Sequence, residues 1–479
     1  MKRLPLLLTA IAFCFSVLAQ PYIPEDYPSA EFHAGRRDAL RKLMPQNSVA
    51  VIFSAPVRNY SNDVDYPYHQ NPDMYYFSGY REPDGMLLIF SEPQTINGVK
   101  VKEVLFVQKK NPQMEQWTGV RLGKEGAQEI LKPDLVLNGD EFKDFDLDFN
   151  KFDSIFTDRL YTDVADTRNP ADLFDLIRLF KEKAGIQHQI PNNSRISPVR
   201  YRRMTGTLRE IKTPEELVLL RKAVEISCIG QVEVMKALRP GMSEREIQGL
   251  HEFIHKKYDA ENVGYPSIVG VGNNGCILHY IYNNAPNMQN RLLLMDVGAE
   301  YRGYTADVTR TIPVKGKFNE EEKQIYNLVY EAQEAAFRLA REGVNYSELE
   351  KAARQVIVDG LMKLGIAKTP QEANRYYPHG LGHHIGLDVH DRNSSGALKK
   401  DMVMTIEPGI YIPEGSNCDK KWWGIAVRIE DDILIKEDGY ELLSSFAPRS
   451  ITDIEKMMEQ PSYLDNYKLP ALKSDKKGF

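Results

Sequence analysis

Four of the chain's ten histidines crowd into twelve residues, His379-Gly-Leu-Gly-His383-His384-Ile-Gly-Leu-Asp-Val-His390. The interleaved glycines argue against a continuous amphipathic helix and let backbone approach a ligand closely. Carboxylates recur in a related pattern. Asp296 and Glu407 each end an apolar run and are followed two residues later by glycine, and each run has a returning partner with a second carboxylate, Asp307 or Glu430. A turn containing Gly303 separates Asp296 from Asp307, so two hairpin strands would bring them together. An isolated charge ending an apolar strand costs several kcal/mol unless it is paired or metal-bound. Four carboxylates converging without a cation would repel one another and take up protons. With divalent ions the same set becomes stable. One imidazole and four carboxylates form a hard, oxygen-rich donor set suited to Mn²⁺, Co²⁺ or Zn²⁺. Two such ions about 3.5–4 Å apart can hold a bridging hydroxide and polarise a carbonyl.

Two other patterns compete. His251-Glu-Phe-Ile-His255 has the form of the HExxH zinc motif. It supplies two histidines where a catalytic zinc takes three protein ligands. The chain breaks at Asp259-Ala-Glu without offering a third, so a half-buried helix face is expected. Gly270-Val-Gly272-Asn-Asn-Gly275 matches a dinucleotide fingerprint, but no helix follows it. Cys276 to Tyr280 reads as a strand, and the glycines as a hairpin turn.

These groups need scaffolding, and the composition supplies it. The 479 residues suggest two or three domains. With 42% hydrophobic and 27% charged residues, disorder, collagen and coiled coil are excluded. A formal net charge of −6 argues against nucleic acid as partner. Lys2 and Arg3 precede an apolar run from Leu4 to Leu18, and Val17-Leu18-Ala19 offers a cleavage site. Residues 1–19 read as a secretory signal, implying an exported, periplasmic or secreted protein. The run is shorter than the roughly 20 residues that span a bilayer, and no later segment qualifies, so stable membrane insertion is not expected. Cys228, Cys276 and Cys418 then remain, with no forced bridge.

The fold class is α/β (α+β). An N-terminal α/β domain occupies 20–205, with a helix over Arg36 to Leu43 and another from Asn169 to Ala184. Its strands are Ser48 to Phe53, Asp84 to Phe90 and Val101 to Val107. The boundary falls near Arg203 to Ile211. A second domain, 206–460, opens with a capping box at Thr213 and Glu216. Further capping boxes are expected at Asn319 to Glu322 and Ser347 to Glu350. Apolar strands lie at Arg291 to Asp296, Met402 to Glu407 and Gly424 to Glu430. The repeated strand–carboxylate unit suggests two halves related by a pseudo-twofold. Residues 461–479 read as a loose tail.

Together these stretches resemble the pita-bread metallopeptidases, in the Xaa-Pro aminopeptidase branch. The resemblance rests on Asn274-Gly-Cys-Ile-Leu-His279-Tyr, Asp296 through Asp307-Val-Thr-Arg-Thr, His379-Gly-Leu-Gly-His383, Thr405-Ile-Glu407-Pro-Gly and Val427-Arg428-Ile-Glu430-Asp-Asp. In the first domain it adds Tyr75-Tyr-Phe-Ser-Gly-Tyr-Arg-Glu-Pro83. It implies a C-terminal pita-bread catalytic domain and hydrolysis of the bond before a penultimate proline in proline-containing peptides. Two divalent ions, manganese first, would be held by Asp296, Asp307, His383, Glu407 and Glu430. Glu407 would act as general base, and His279 and His390 would stabilise the intermediate or protonate the leaving nitrogen. His379 and Arg428 would bind substrate, and Tyr265 and Tyr411 would line the pocket. His384 stands where relatives commonly carry an aromatic residue. A dimer or tetramer is implied. Prolidase, which shares the ligands but takes only dipeptides, is the alternative; a metal-free binding module lacks such a ligand set.

Overall fold

Ser48–Phe53 is apolar from Val49 onward and is buried on both faces. Val49, Val51 and Phe53 pack on one side with Phe180 and Ile177. Ala50 and Ile52 pack on the other with Met74 and Phe77. The computed structural model describes residues 26–186, 195–289, 291–394 and 396–466. The signal expected at 1–19 lies outside them, as does most of the tail. Among the described residues no helix is long and apolar enough to cross a membrane.

Ser48–Phe53 lies within a five-stranded mixed sheet. It runs antiparallel to Met86–Ile96 and parallel to Ser154–Phe156. Beyond Met86–Ile96 lie Val99–Val107 and Leu135–Asn138. The helix expected from Arg36 begins at Ala30, because Ser29 caps it through the Phe32 N–H. The helix expected from Asn169 begins at Leu173, where Asp172 accepts from Asp175 N–H at 2.8 Å. The boundary expected near Arg203 to Ile211 coincides with the end of a helix, Pro198–Arg209, whose residues touch both domains.

The second domain repeats one plan. The helices Pro214–Ala237 and Glu244–Lys257 precede strands Ile268–Val271, Leu292–Val297 and Val308–Pro313. The helices Glu320–Phe337 and Tyr346–Lys363 precede Val403–Ile406, Gly409–Ile412, Ile425–Arg428 and Asp431–Lys436. Thr213 forms the expected capping box with Glu216, and Asn319 with Glu322. The box expected at Ser347 forms two residues earlier, between Asn345 and Glu348, since asparagine caps as well as serine. The two halves share one apolar core, to which Val269, Met295, Ile312, Ile406, Val427 and Ile433 contribute.

The glycine-rich run itself forms a 3₁₀ turn, Gly272–Cys276, and the segment expected as a strand, Cys276 to Tyr280, continues from it as irregular chain. Glu244 ties down the chain on either side of it. Glu244 accepts from Val271 N–H and Ala285 N–H, each at 2.8 Å. The run is therefore neither a nucleotide loop nor a hairpin turn.

Candidate active site and metal centre

Strand pairing brings the first two carboxylates together. Leu292–Val297 and Val308–Pro313 are antiparallel, with Asp296 opposite Thr309. The chain between them reverses at Arg302 and Gly303, both at positive φ (51° and 82°), the requirement of a tight two-residue hairpin turn. In the second half, Glu407 follows Val403–Ile406 and Glu430 follows Ile425–Arg428. The halves join where Glu430 N–H donates to Thr309 O at 3.1 Å. His383 comes alongside because its loop runs beside the Glu407 strand. Thr405 N–H donates to His383 O at 2.9 Å, and Glu407 N–H to Leu381 O at 2.7 Å. Gly382 is required there, since a Cβ would stand 2.2 Å from Thr405 O.

Two side chains absent from the sequence-level expectations fix these strands. Gln231 donates its amide to Met295 O at 3.1 Å and Val308 O at 2.7 Å, beside Asp296 and Asp307. Gln333 donates to Ile406 O at 2.9 Å and Ile429 O at 3.2 Å, beside Glu407 and Glu430. Both are fully buried. The available signal was an amide sitting in an apolar helical stripe, at four-residue spacing from Ser227 and Val329.

All five expected ligands line one cavity of about 640 Å³, together with Tyr265, His279, His379, His390 and Arg428. One ligand atom each from Asp307, His383 and Glu430 lies within 4.8 Å of the others. His383 Nε2 stands 3.5 Å from Asp307 and 3.4 Å from Glu407. These gaps exceed the roughly 2.7–3.2 Å of an ordinary hydrogen bond and suit atoms arranged around an ion. His383 Nδ1 faces His384 O at 3.1 Å, which leaves Nε2 as the coordinating atom.

The charge balance fits the same conclusion. Burial pushes Glu407 up to about 8, partly offset by His383 and reinforced by Asp307. Glu430 is raised further, by burial and then by Asp307, Glu407 and Asp296. Burial also raises Asp296 against the opposing Arg428 guanidinium. Burial opposes ionisation of Asp307 too, but His383 holds it below the usual carboxylate range. Burial alone would depress His383, yet Asp307 and Glu407 raise it to about 9. Carboxylates held this deep and this close call for positive charge among them, as expected of a donor set shaped for divalent cations.

The expected substrate residues divide. Tyr265 lines the cavity, its hydroxyl 2.5 Å from both Asp296 and Asp307. Tyr411, expected to line the pocket, is 4% exposed and lies behind two residues that line it, His379 and Arg428. Its hydroxyl accepts from Arg428 at 2.9 Å and contacts His379 Nε2 at 2.8 Å. Arg428 donates to Asp296 at 2.5 Å, so its guanidinium serves the site's own acceptors. His379 is held down to about 4, chiefly by burial and then by Arg428, and is neutral. His390 packs on His383 with ring centroids 4.1 Å apart. His251 and His255 lie away from the cavity. Expected on a half-buried face, they are 0% and 1% exposed, and none of their four ring nitrogens has a hydrogen-bond partner among the described residues. Gly230 on the neighbouring helix closes over them.

Comparison with known proteins points the same way. Residues 218–437 match the model of metallopeptidase family M24, and residues 33–151 that of the aminopeptidase P N-terminal domain. An Xaa-Pro aminopeptidase of Escherichia coli is 37% identical over 443 residues, covering 88% of this chain and 96% of that protein. The structure of Escherichia coli aminopeptidase P with the inhibitor Pro-Leu superposes with a TM-score of 0.80 at 34% identity, covering 90% of this chain and 98% of that one. A Pseudomonas aeruginosa aminopeptidase gives a TM-score of 0.78 at 32% identity, with the same coverage.

Proposed function

The chain belongs to metallopeptidase family M24, with an aminopeptidase P N-terminal domain and a pita-bread catalytic domain, and from that premise we propose how its site works. It is a metal-dependent exopeptidase that hydrolyses the bond between an N-terminal residue and a penultimate proline. The observation that carries this is the convergence of Asp296, Asp307, His383, Glu407 and Glu430 on one cavity. These five would hold two divalent ions, for which manganese suits the oxygen-rich donors. Such ions, once bound, supply Lewis acidity toward the scissile carbonyl and activate water.

The chain's own groups do the rest. Glu407, with its two oxygens toward His383 and His379, accepts the proton of the attacking water at its carboxylate. The nitrogen of an amide leaves as a neutral amine only after receiving a proton, and the Xaa-Pro nitrogen, which carries no N–H, is no exception. His279 and His390, which line the cavity, would deliver it. The hydroxyl of Tyr411, which accepts from Arg428, donates to His379 Nε2; His379 Nδ1–H donates to Gly380 O at 2.8 Å. With both nitrogens engaged, the His379 ring offers the substrate a flat wall. Ile268, Leu278, Ile281 and Val389 extend an apolar surface suited to a proline ring. Nothing at the site favours prolidase.

Export to the periplasm or beyond belongs to the proposal, supported by the Lys2-Arg3 pair and the apolar run to Leu18. So does assembly as a dimer or tetramer, supported by the family resemblance. The deciding experiment compares Xaa-Pro dipeptides with Xaa-Pro-Yaa peptides, each with manganese and with chelator. Metal-dependent release of the first residue from the longer peptides is expected. Cleavage of dipeptides alone would restore prolidase, and undiminished activity in chelator would overturn the metal assignment.

A further inference from the structure

The His390 ring makes no hydrogen bond among the described residues and packs against the His383 ring. Its place is therefore set by its backbone, and the backbone is set by the two aspartates that flank it. Asp388 and Asp391 both accept from the same guanidinium nitrogen of Arg209, the former at 2.8 Å. Lys212 Nζ donates to the other Asp391 oxygen at 2.9 Å. Asp391 N–H donates to His384 O at 2.8 Å, closing the loop on itself. The second terminal nitrogen of Arg209 leaves the catalytic domain altogether. It donates to Asp73 at 2.9 Å, within the Pro72–Ser78 helix of the N-terminal domain. Asp73 is fixed in turn by Tyr201 at 2.9 Å and Arg392 at 2.7 Å. Arg209 and Asp73 are each 1% exposed. Breaking a buried pair by removing one partner leaves an uncompensated charge, so this arrangement holds a single geometry.

We propose that Arg209 and Asp73 are positioning residues for His390, through which the N-terminal domain sets the reach of the group that protonates the departing proline nitrogen. The inference rests on the catalytic assignment of His390. The clamp's side-chain contacts go to none of the five metal-site residues; it meets them only at His384 O, which takes Asp391 N–H and also faces His383 Nδ1 at 3.1 Å. A loss that falls on proton delivery with metal stoichiometry intact therefore separates positioning of His390 from disturbance of His383. A misplacement of about 1 Å costs on the order of a hundredfold in rate, within the 10²–10⁴ that a general acid typically contributes.

The test uses full-length, manganese-loaded Asp73→Asn, with Asp388→Asn as a milder, partly exposed second variant and His390→Ala as reference. Manganese stoichiometry is titrated, and kcat and KM are measured on paired Xaa-Pro-Yaa peptides carrying proline or 4-fluoroproline. The less basic fluoroproline nitrogen depends less on proton donation. Asp73→Asn is expected to keep full metal stoichiometry and a KM within about twofold, with kcat down about ten- to a hundredfold. The fluoroproline-to-proline ratio of kcat should rise, as in His390→Ala, and Asp388→Asn should show the same rise with a smaller loss. An unchanged kcat, or a loss with an unchanged ratio, would overturn the positioning role. The same holds for a loss matched by falling metal stoichiometry. If Asp73→Asn does not fold, the ratio in Asp388→Asn decides alone. Undiminished kcat in His390→Ala would instead remove the catalytic assignment, and the inference with it.

Discussion

Replacing His255 with leucine should make the protein more resistant to acid. His255 is 1% exposed, beside His251, and no polar atom bonds to its ring. Burial lowers its pKa to about 4, with a small addition from Lys256. In the unfolded chain the imidazole returns to about 6.5. Between those values the unfolded state binds a proton that the folded state refuses, so stability falls as pH drops through 6.5. At pH 5 the unfolded form gains RT ln(1 + 10^1.5), about 2 kcal/mol, while the folded form gains under about 0.1 kcal/mol; at pH 8 both terms vanish. The assay is urea unfolding of wild type and His255→Leu at pH 5 and pH 8. Packing changes caused by leucine appear equally at both pH values and cancel in the comparison. The variant should lose about 2 kcal/mol less than wild type between pH 8 and pH 5. Equal losses would refute a neutral, unbonded imidazole, and a metal-dependent loss in wild type alone would revive the zinc motif.

Two further outcomes follow from the site. Gln333→Leu removes the donor shared by the carbonyls next to Glu407 and Glu430, and should weaken manganese binding about 10–100-fold by calorimetry. His383→Ala should weaken it by at least about a hundredfold and abolish peptidase activity, whereas His251→Ala should keep activity wherever it folds.

What the sequence made legible was local or chemically conspicuous. Ser48–Phe53 and Leu292–Val297 are short apolar runs bounded by breakers, and strand periodicity finds them. Asp296, Asp307, Glu407 and Glu430 stood out because a carboxylate ending such a run needs a counter-charge. Depth and orientation were not legible. Tyr411 stands behind the cavity because Arg428 and His379 occupy its hydroxyl, contacts made across 17 and 32 residues of chain. The HExxH helix looked half-buried because its stripe was counted without Gly230, whose missing side chain admits the neighbouring helix. Cys276 to Tyr280 looked like a strand because nothing in its own residues reveals that no described strand lies beside it to pair with. Arg209 and Asp73 belong to different domains, and no spacing rule links them.

The paired glutamines have a last consequence. Gln231 locks Asp296 to Asp307 as one rigid cassette, and Gln333 does the same for Glu407 and Glu430. The strands carrying each carboxylate pair are thus held together, and the spacing between the two pairs is set at the seam where the cassettes abut. That seam is built from Glu430 N–H on Thr309 O and Arg428 N–H on the Thr311 hydroxyl. Preference among metals of different radius is therefore open to tuning at threonines that never touch an ion.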